Sequence, residues 1–292
     1  MNILAAAVLL ALSLSAAYLV FIRPLGELPR DTLALLFLVS LTAAGGLLGS
    51  PLWWLDEEGA FSWDLPPLAS RMLAAAGIAF FVESLVVLRW PSRDRLKLHL
   101  LLLAVYLAPL VAAIVVFHLD RFDWGDPITW SFFLVAGTMT VSCLYFLARP
   151  PQAPLNEPGS LPGQQTRAWL MAVAAVTTLW GLALFATDDG FWDKIWVWPG
   201  DTLTSRLIGV MVLTIAAGSL WSLRSRAAAM TMLAMNAAYG LGVCAANLWS
   251  STQDKPVQES YVIFFGVIGV SSLVLLAVEA GLTRSRVAEA PA

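Results

Sequence analysis

The sequence predicts an all-α, polytopic integral membrane protein with about nine transmembrane helices, arranged as one leading helix plus two parallel four-helix repeats. Composition, the length of the apolar stretches and an internal duplication support this fold class. The chain has 292 residues, of which 59% are hydrophobic and 13% are charged, whereas a soluble domain is typically ~25% charged. Nearly all of the chain is therefore expected to lie in lipid.

Apolar stretches long enough to cross a ~30 Å hydrocarbon core recur along the whole chain. The N-terminal stretch lacks a preceding basic residue, so we interpret it as a retained helix and not as a signal peptide. The predicted spans are residues 3–22, 32–50, 67–89, 98–118, 127–148, 168–187, 202–223, 227–249 and 260–282.

These spans divide the chain into five units. The longest loop is rich in proline and too short to fold, so it is expected to be a cytoplasmic linker. The units are a leading helix and its loop at 1–31, module 1 at 32–148, the proline-rich linker at 149–167, module 2 at 168–282, and a cytoplasmic tail at 283–292.

Charges alternate between successive loops. Twelve of the 17 basic residues lie in the loops after the first, third, fifth, seventh and ninth spans, and the other loops are acidic. Because basic residues favour the cytoplasmic side, this pattern predicts a cytoplasmic (bacterial inner) membrane protein with its N-terminus outside and its C-terminus in the cytoplasm.

An internal duplication appears at an offset of 135 residues. The segments Trp63–Arg89 and Trp198–Arg224 share the pattern W-x4-L-x-S-R-x12-S-L-x2-L-R, with eight identities in 27 positions. Thr42/Thr177 and Gly46/Gly181 match at the same offset. Because each module has an even number of helices, the two modules would share an orientation, as in parallel-repeat transporters. The alternative is convergent use of Trp and Arg at helix ends.

The stretch W-x4-L-x-S-R at the start of a span resembles a motif of uncharacterised bacterial multi-pass membrane proteins. The resemblance covers mainly residues 61–89 and 196–224. It implies the membrane fold alone, with no activity and no site residues.

Aromatic residues cluster in two acidic loops. They fit either an aromatic belt at the outer interface or a platform for a sugar, a lipid head group or a partner protein. The first loop contains Trp53, Trp54, Phe61 and Trp63, and its counterpart contains Phe191, Trp192, Trp196 and Trp198.

Two arginines stand about a turn or two inside the outer ends of the duplicated helices. With Trp63 and Trp198, we predict that Arg71 and Arg206 act as structural clamps, for which Asp64 and Asp201 are available carboxylate partners. Recognition of an anion by the two arginines is the alternative.

Glu83 is the charged-type residue predicted to lie deepest in a span. It precedes Arg89, at the cytoplasmic end of its helix, by six residues, which places it ~9 Å inside that end. An ionised acid in hydrocarbon costs at least ~2.5 kcal/mol, so it must be paired, protonated or hydrated. His99 follows a short turn and is the predicted partner. The pair would either pin two helices or serve a solute or proton.

A small-residue stripe marks the span 227–249 as a crowded internal helix. Small side chains at four-residue spacing allow close helix packing, and Asn236 beside the stripe is expected to find a hydrogen-bond partner there. An alanine-rich composition is the alternative explanation. The stripe consists of Ala234, Ala238, Gly242 and Ala246.

Catalysis has little support, because no HExxH, G-x-S-x-G or phosphate-binding loop occurs. His118 with nearby Asp120, Asp123 and Asp126 is at most a weak metal site. We predict no enzyme, no cofactor and no nucleic-acid partner. The favoured function is a non-catalytic integral membrane subunit or scaffold, with the bilayer and other membrane subunits or a second copy as partners. The alternative is a permease or flippase for a lipophilic or small solute, with Glu83 in its pathway.

Overall fold

The computed structural model describes residues 3–57, 59–151, 160–190, 192, 194–253 and 257–288. The predicted all-α class is confirmed, since these residues form long helices and contain no strand. The helices are α1 Ile3–Ala17, α2 Arg30–Leu55, α3 Pro67–Arg89, α4 Arg93–Phe117, α5 Pro127–Ala148, α6 Gln164–Ala186, α7 Thr202–Ser222, α8 Arg226–Ser251 and α9 Glu259–Ala288.

Nine helical segments of the described chain are long and apolar enough to cross a membrane, as predicted. The first segment is completed by a π-helical turn over Tyr18–Ile22 and a 3-10 turn over Arg23–Leu25. The apolar section of α9 ends at Gly281, close to the predicted end at 282, and the helix itself continues to Ala288. A helix can extend past its apolar section where good helix formers such as arginine follow. Most of the proline-rich linker, residues 152–159, lies outside the described residues.

Local sequence signals set several helix starts at the ends of the bundle. Pro67 and Pro127 occupy the first helical turn, where a missing N–H costs nothing. The side chains of Ser92, Asp126 and Asp201 cap α4, α5 and α7 by accepting bonds from backbone N–H groups. Two of these caps, Asp126 and Asp201, are thus among the aspartates that make their loops acidic.

The helices pack in a crossed arrangement. Within each half, α2 packs along α3 and α6 along α7, while α5 packs on α4 and α9 on α8. Between the halves, α3 packs on α8 and α4 packs on α7. The four helices α3, α4, α7 and α8 therefore form the centre, and α1 lies outside against α2. Exchanging the halves preserves every one of these contacts.

Close helix approach recurs at matched positions. A Cβ on Gly46 of α2 would meet the backbone of Gly77 in α3, and a Cβ on Gly181 of α6 would lie 2.8 Å from the Leu213 side chain of α7. Both glycines therefore lie at the contact with the next helix. They are 135 residues apart, which is the offset of the predicted duplication.

The α8 stripe lies at a close helix contact. A Cβ on Gly242 would lie 2.7 Å from Cβ of Ala75 in α3, and Ala234 and Ala246 are buried. Ala238 is only partly buried. The prediction that α8 is a crowded internal helix is confirmed, because 72% of the residues in its most apolar section are buried.

The expected hydrogen bond of Asn236 is not present among the described residues. The side chain is fully buried, yet neither amide atom has a partner. The prediction was wrong because apolar side chains and small residues on α8 and its neighbours supply few free acceptors, and the helix backbones already bond to themselves.

We expect Gly242→Ala to lower the thermal unfolding temperature in detergent, because the new methyl group would overlap Ala75. Gly137→Ala in α5 is the matched control, since a Cβ there meets nothing within 4 Å and alanine favours a helix by ~1 kcal/mol. Equal unfolding temperatures for the two variants would contradict a tight α3–α8 contact.

Candidate functional site

The predicted pairing of Glu83 with His99 is confirmed. Glu83 lies in α3 and His99 in α4, and the short turn between the helices brings both side chains to the same depth. Nδ1 of His99 lies 2.7 Å from Oε2 of Glu83, and both side chains are 0% exposed. The two groups therefore form a fully buried contact at hydrogen-bond distance between neighbouring helices.

A third helix joins this pair. Oγ1 of Thr42 in α2 donates to the carbonyl oxygen of Leu38 at 3.0 Å and lies 3.4 Å from Nε2 of His99. Because the threonine proton is already used, the long contact suits a hydrogen on Nε2 that points to Oγ1.

The Glu83 carboxylate is not fully satisfied. Ser84 donates to Oε2 at 3.4 Å, whereas Oε1 has no partner among the described residues. A buried carboxylate oxygen without a hydrogen bond costs free energy. This cost offsets part of the stability that the pair contributes. Its position inside the packed centre fixes α2, α3 and α4 relative to one another.

Module 2 has an apolar contact at the matching place. Gly218 stands at the position of Glu83, 135 residues on. Helices α4 and α8 match best at an offset of 133, which places Met232 at the position of His99. A Cβ on Gly218 would lie 2.6 Å from Sδ of Met232, so these two residues also touch. The identities at the offset of 133 include Ser92/Ser225, Arg93/Arg226 and Tyr106/Tyr239.

A second buried ion pair was missed by the sequence reasoning. Nε of Arg226 in α8 lies 2.7 Å from Oε2 of Glu279 in α9. The other carboxylate oxygen accepts bonds from Gly163 N–H and from Thr166 Oγ1, both at 2.8 Å. The pair therefore ties α8 and α9 to the start of α6.

Glu279 is a second carboxylic side chain that is buried within a predicted span. It lies inside the predicted span 260–282 but near its end, where water is normally close. From the sequence, Arg226 was only one of the basic residues that predict the orientation of the chain in the membrane. The signal that could have found them is a span that ends in a glutamate with no basic residue three or four positions away in its own helix.

The two predicted clamp arginines have different surroundings. Nη1 of Arg71 donates to the carbonyl of Pro67 in its own helix at 3.3 Å. Nη1 of Arg206 lies 2.6 Å from Nε2 of His118, and Nε donates to the carbonyl of Phe185 at 3.3 Å. Neither guanidinium binds Asp64 or Asp201 among the described residues.

The two arginines lack these carboxylate partners for different reasons. Asp64 is exposed, whereas Arg71 is buried. Asp201 caps α7 through the N–H of Thr204 at 3.3 Å and lies 3.8 Å from Arg121. Arg206 instead joins α7 to the end of α4, so it acts between the two modules.

Two of the aromatic loop residues are more deeply buried than residues of an aromatic belt at a membrane interface would be. Trp63 and Trp198 are each 7% exposed. Trp63 lies 4.3 Å from Phe61 and 5.3 Å from Phe122, measured between ring centroids. The tryptophans at these two positions therefore hold loops against helices, while Phe191 lies outside the described residues.

No group of three metal-ligating side chains occurs among the residues that the structure describes. No protein-family model matches the sequence, and no curated protein or solved structure is significantly similar to it. The functional argument therefore depends on the geometry of this chain.

We expect Glu83→Ala to destabilise the protein by about 3–5 kcal/mol, the cost of leaving one member of a buried pair unpaired. Adding His99→Met should recover much of this loss, because the double variant approaches the Gly218–Met232 contact of module 2. Unfolding in detergent at fixed pH measures both effects. Additive losses from the two single variants would show that the groups do not act as a pair.

The Arg206–His118 contact predicts a dependence on pH. Partial burial, followed by the nearby Arg206, lowers the pKa of His118 from its ordinary value of 6.5. The other charged groups facing it are Asp120, Arg121 and Asp201. Since the folded protein binds this proton less readily than the unfolded one, stability is fully present above pH 6.5 and is lost as the pH falls through the lowered pKa.

The thermal unfolding temperature should therefore decrease below pH 6.5. His118→Gln, which keeps an acceptor for Arg206 and cannot be protonated, should show a smaller decrease. Identical pH profiles for the two proteins would rule out a contribution from His118.

Proposed function

We propose that this protein is a non-catalytic integral membrane subunit or scaffold. The observation that supports this best is the sealed Glu83–His99 pair, whose side chains are both 0% exposed. A transport or proton site needs access from water or from a solute cavity. None of the described cavities has Glu83 or His99 in its lining.

The other buried charges support the same function. Arg226 and Glu279 bind each other and the start of α6. Arg95 in α4 donates to Thr231 of α8 at 3.2 Å and to the carbonyl of Trp90 at 2.8 Å. These groups join helices to each other, which is the role of buried polar groups in a rigid scaffold.

The proposal includes the internal duplication of the chain and its orientation in the membrane. The crossed contacts α3–α8 and α4–α7, which an exchange of the two halves preserves, support two parallel modules related by an axis along the membrane normal. The basic ends of the helices suit the cytoplasmic side of a bacterial inner membrane, with the N-terminus outside. Partners in this proposal are the lipid bilayer and other membrane subunits or a second copy.

A permease or flippase for a lipophilic solute is the second candidate. One observation favours it: an apolar cavity of about 330 Å³ lies between α4, α5 and the loop after α2, with one residue each from α2, α3 and α7 in its wall. This size is within the ~300–1,000 Å³ range of ligand pockets. Any pathway through it would bypass Glu83, contrary to the pathway that the sequence suggested.

Purification of the full chain in a mild detergent tests the scaffold proposal. We expect a membrane protein to be retained in fixed stoichiometry. Helix α1 packs mainly on α2 and is barely buried, so it offers the largest free surface outside the modules. Leu12→Trp on α1, where Leu12 is 61% exposed, should weaken retention.

Leu182→Trp on α6 is the matched control, because Leu182 is 53% exposed and also faces outward. Retention should be unchanged in this variant. A homogeneous protein that retains no other chain and forms no oligomer would refute the proposal.

A further inference from the structure

We propose that the cleft between α6 and α9 binds a phospholipid whose head group contains both a phosphate and a primary amine. Lys194 would bind the phosphate, Glu259 would bind the amine, and one acyl chain would lie between the two helices. This inference goes beyond the scaffold proposal and does not depend on it. It rests on one open cavity that combines an apolar wall with a single pair of opposite charges at its end.

The cavity has a volume of about 770 Å³. Its apolar walls come from α6 and α9, and residues of the loop before α7 line the rest. Leu179 of α6 and Ile263 of α9 are 73% and 67% exposed, so the cavity opens sideways from the helix bundle. In a bilayer, such an opening is reached directly from the lipid chains.

The depth of the cavity suits one acyl chain. Glu259, at the first position of α9, and Val267, further along the same helix, both line it. Eight residues of helix correspond to ~12 Å, whereas half of a ~30 Å hydrocarbon core is ~15 Å. A chain that enters beside Glu259 would therefore contact the cavity wall over most of its own leaflet.

Two charged side chains line the cavity, Lys194 of the loop and Glu259 of α9. Both are exposed, and neither belongs to an ion pair among the residues that the structure describes. They lie beyond the end of α6 and at the start of α9, the level at which head groups surround a spanning helix. An ammonium group binds a phosphate, and a carboxylate binds a primary amine. A head group with both charges complements this pair, whereas a phosphate alone would leave Glu259 without a partner.

Hydrogen bonds hold the loop of the cavity against both helices. Oγ of Ser260 in α9 donates to the carbonyl of Lys194 at 2.7 Å. Nε1 of Trp196 donates to the carbonyl of Thr187, at the end of α6, at 3.0 Å. The backbone that positions Lys194 is therefore fixed before a lipid binds, which lowers the ordering cost of binding.

Aromatic rings form part of the wall near these charges. Trp180 of α6 stacks on Phe264 of α9 with ring centroids 4.6 Å apart, and Trp192 and Trp196 of the loop line the same cavity. Indole rings favour the boundary between the head groups and the chains of a bilayer. This part of the wall therefore suits the ester region that joins the head group of a phospholipid to its chains.

The first half of the chain offers an internal control. An open apolar cleft of about 820 Å³ lies between α2 and α5, and no charged residue lines it. This cleft can accept an acyl chain, but its wall contains no charge that would distinguish one head group from another.

Photocrosslinking of the full chain in neutral detergent tests the site. Three probes share the same diazirine-bearing acyl chains: a phosphoethanolamine lipid with both charges, a phosphoglycerol lipid with the phosphate alone, and a diacylglycerol with neither. At about pH 7 the amine and the carboxylate are both charged. The phosphoethanolamine lipid should label α6 and α9 about threefold more than the phosphoglycerol lipid, the factor expected for one exposed ion pair. The diacylglycerol should label them least, and labelling of α2 and α5 should not depend on the head group.

Each charge has its own variant. Lys194→Gln should reduce labelling of α6 and α9 by the phosphoglycerol lipid to the level of the diacylglycerol. Glu259→Gln should remove the advantage of the phosphoethanolamine lipid over the phosphoglycerol lipid. Both side chains are exposed, so the variants are expected to keep the unfolding temperature of the original protein.

The chain site has a matched set of variants on α9. Ile263→Trp and Val267→Trp should each reduce labelling of α6 and α9 by all three lipids about tenfold, because an indole ring would occupy the space of the chain. Val270→Trp is the control, since Val270 is 55% exposed, close to the 51% of Val267, and does not line the cavity. This variant should label like the original protein.

The outcomes separate the parts of the proposal. Equal labelling of α6 and α9 by the three probes would overturn the head group. Labelling that persists at full strength in both tryptophan variants would overturn the chain site. Exclusion of all three lipids by a second copy or another membrane helix crosslinked to α6 and α9 would assign the cleft to a protein and overturn the phospholipid.

Discussion

The architecture depends on the crossed contact of the four central helices. Because α3 packs on α8 and α4 packs on α7, each module completes its core with helices of the other. In lipid, no hydrophobic effect pulls helices together, so association depends on close packing and interhelical hydrogen bonds. Gly242 of α8 against Ala75 of α3 and Gly218 of α7 against Leu102 of α4 supply the close packing. The outer helices can then vary without loss of the centre.

Buried polar groups reinforce this centre at a few points. Thr42, His99 and Glu83 connect α2, α3 and α4, while Arg226 and Glu279 connect α8, α9 and the start of α6. Both clusters lie toward the basic end of the helices. An ion pair in an apolar interior adds little net stability but is costly to break. These clusters therefore specify which helices are neighbours more than they add to the free energy of unfolding.

Much of the fold follows from one-dimensional patterns, and less of the site does. Helix number and most boundaries could be predicted because a span needs ~20 apolar residues. The Glu83–His99 pair could be predicted because both residues flank one short turn. The Arg226–Glu279 pair could not, since 53 residues separate them. The Arg206–His118 contact crosses between modules, and neither the repeat nor the charge pattern indicates which side chains meet there.

Departures from the repeat are more informative about function than the repeat itself. Two copies of one module can share a packing scheme, and Thr42 and Thr177 still make the same bond to the residue four positions earlier. At the same offset, Ala34 and Gly45 stand where the second half has Trp169 and Trp180, and Trp169 donates to Ser272 of α9. Glu83 and His99 likewise form a buried pair where Gly218 and Met232 make an apolar contact. The two halves therefore share a pattern of helix contacts but differ in chemistry at these two matched places.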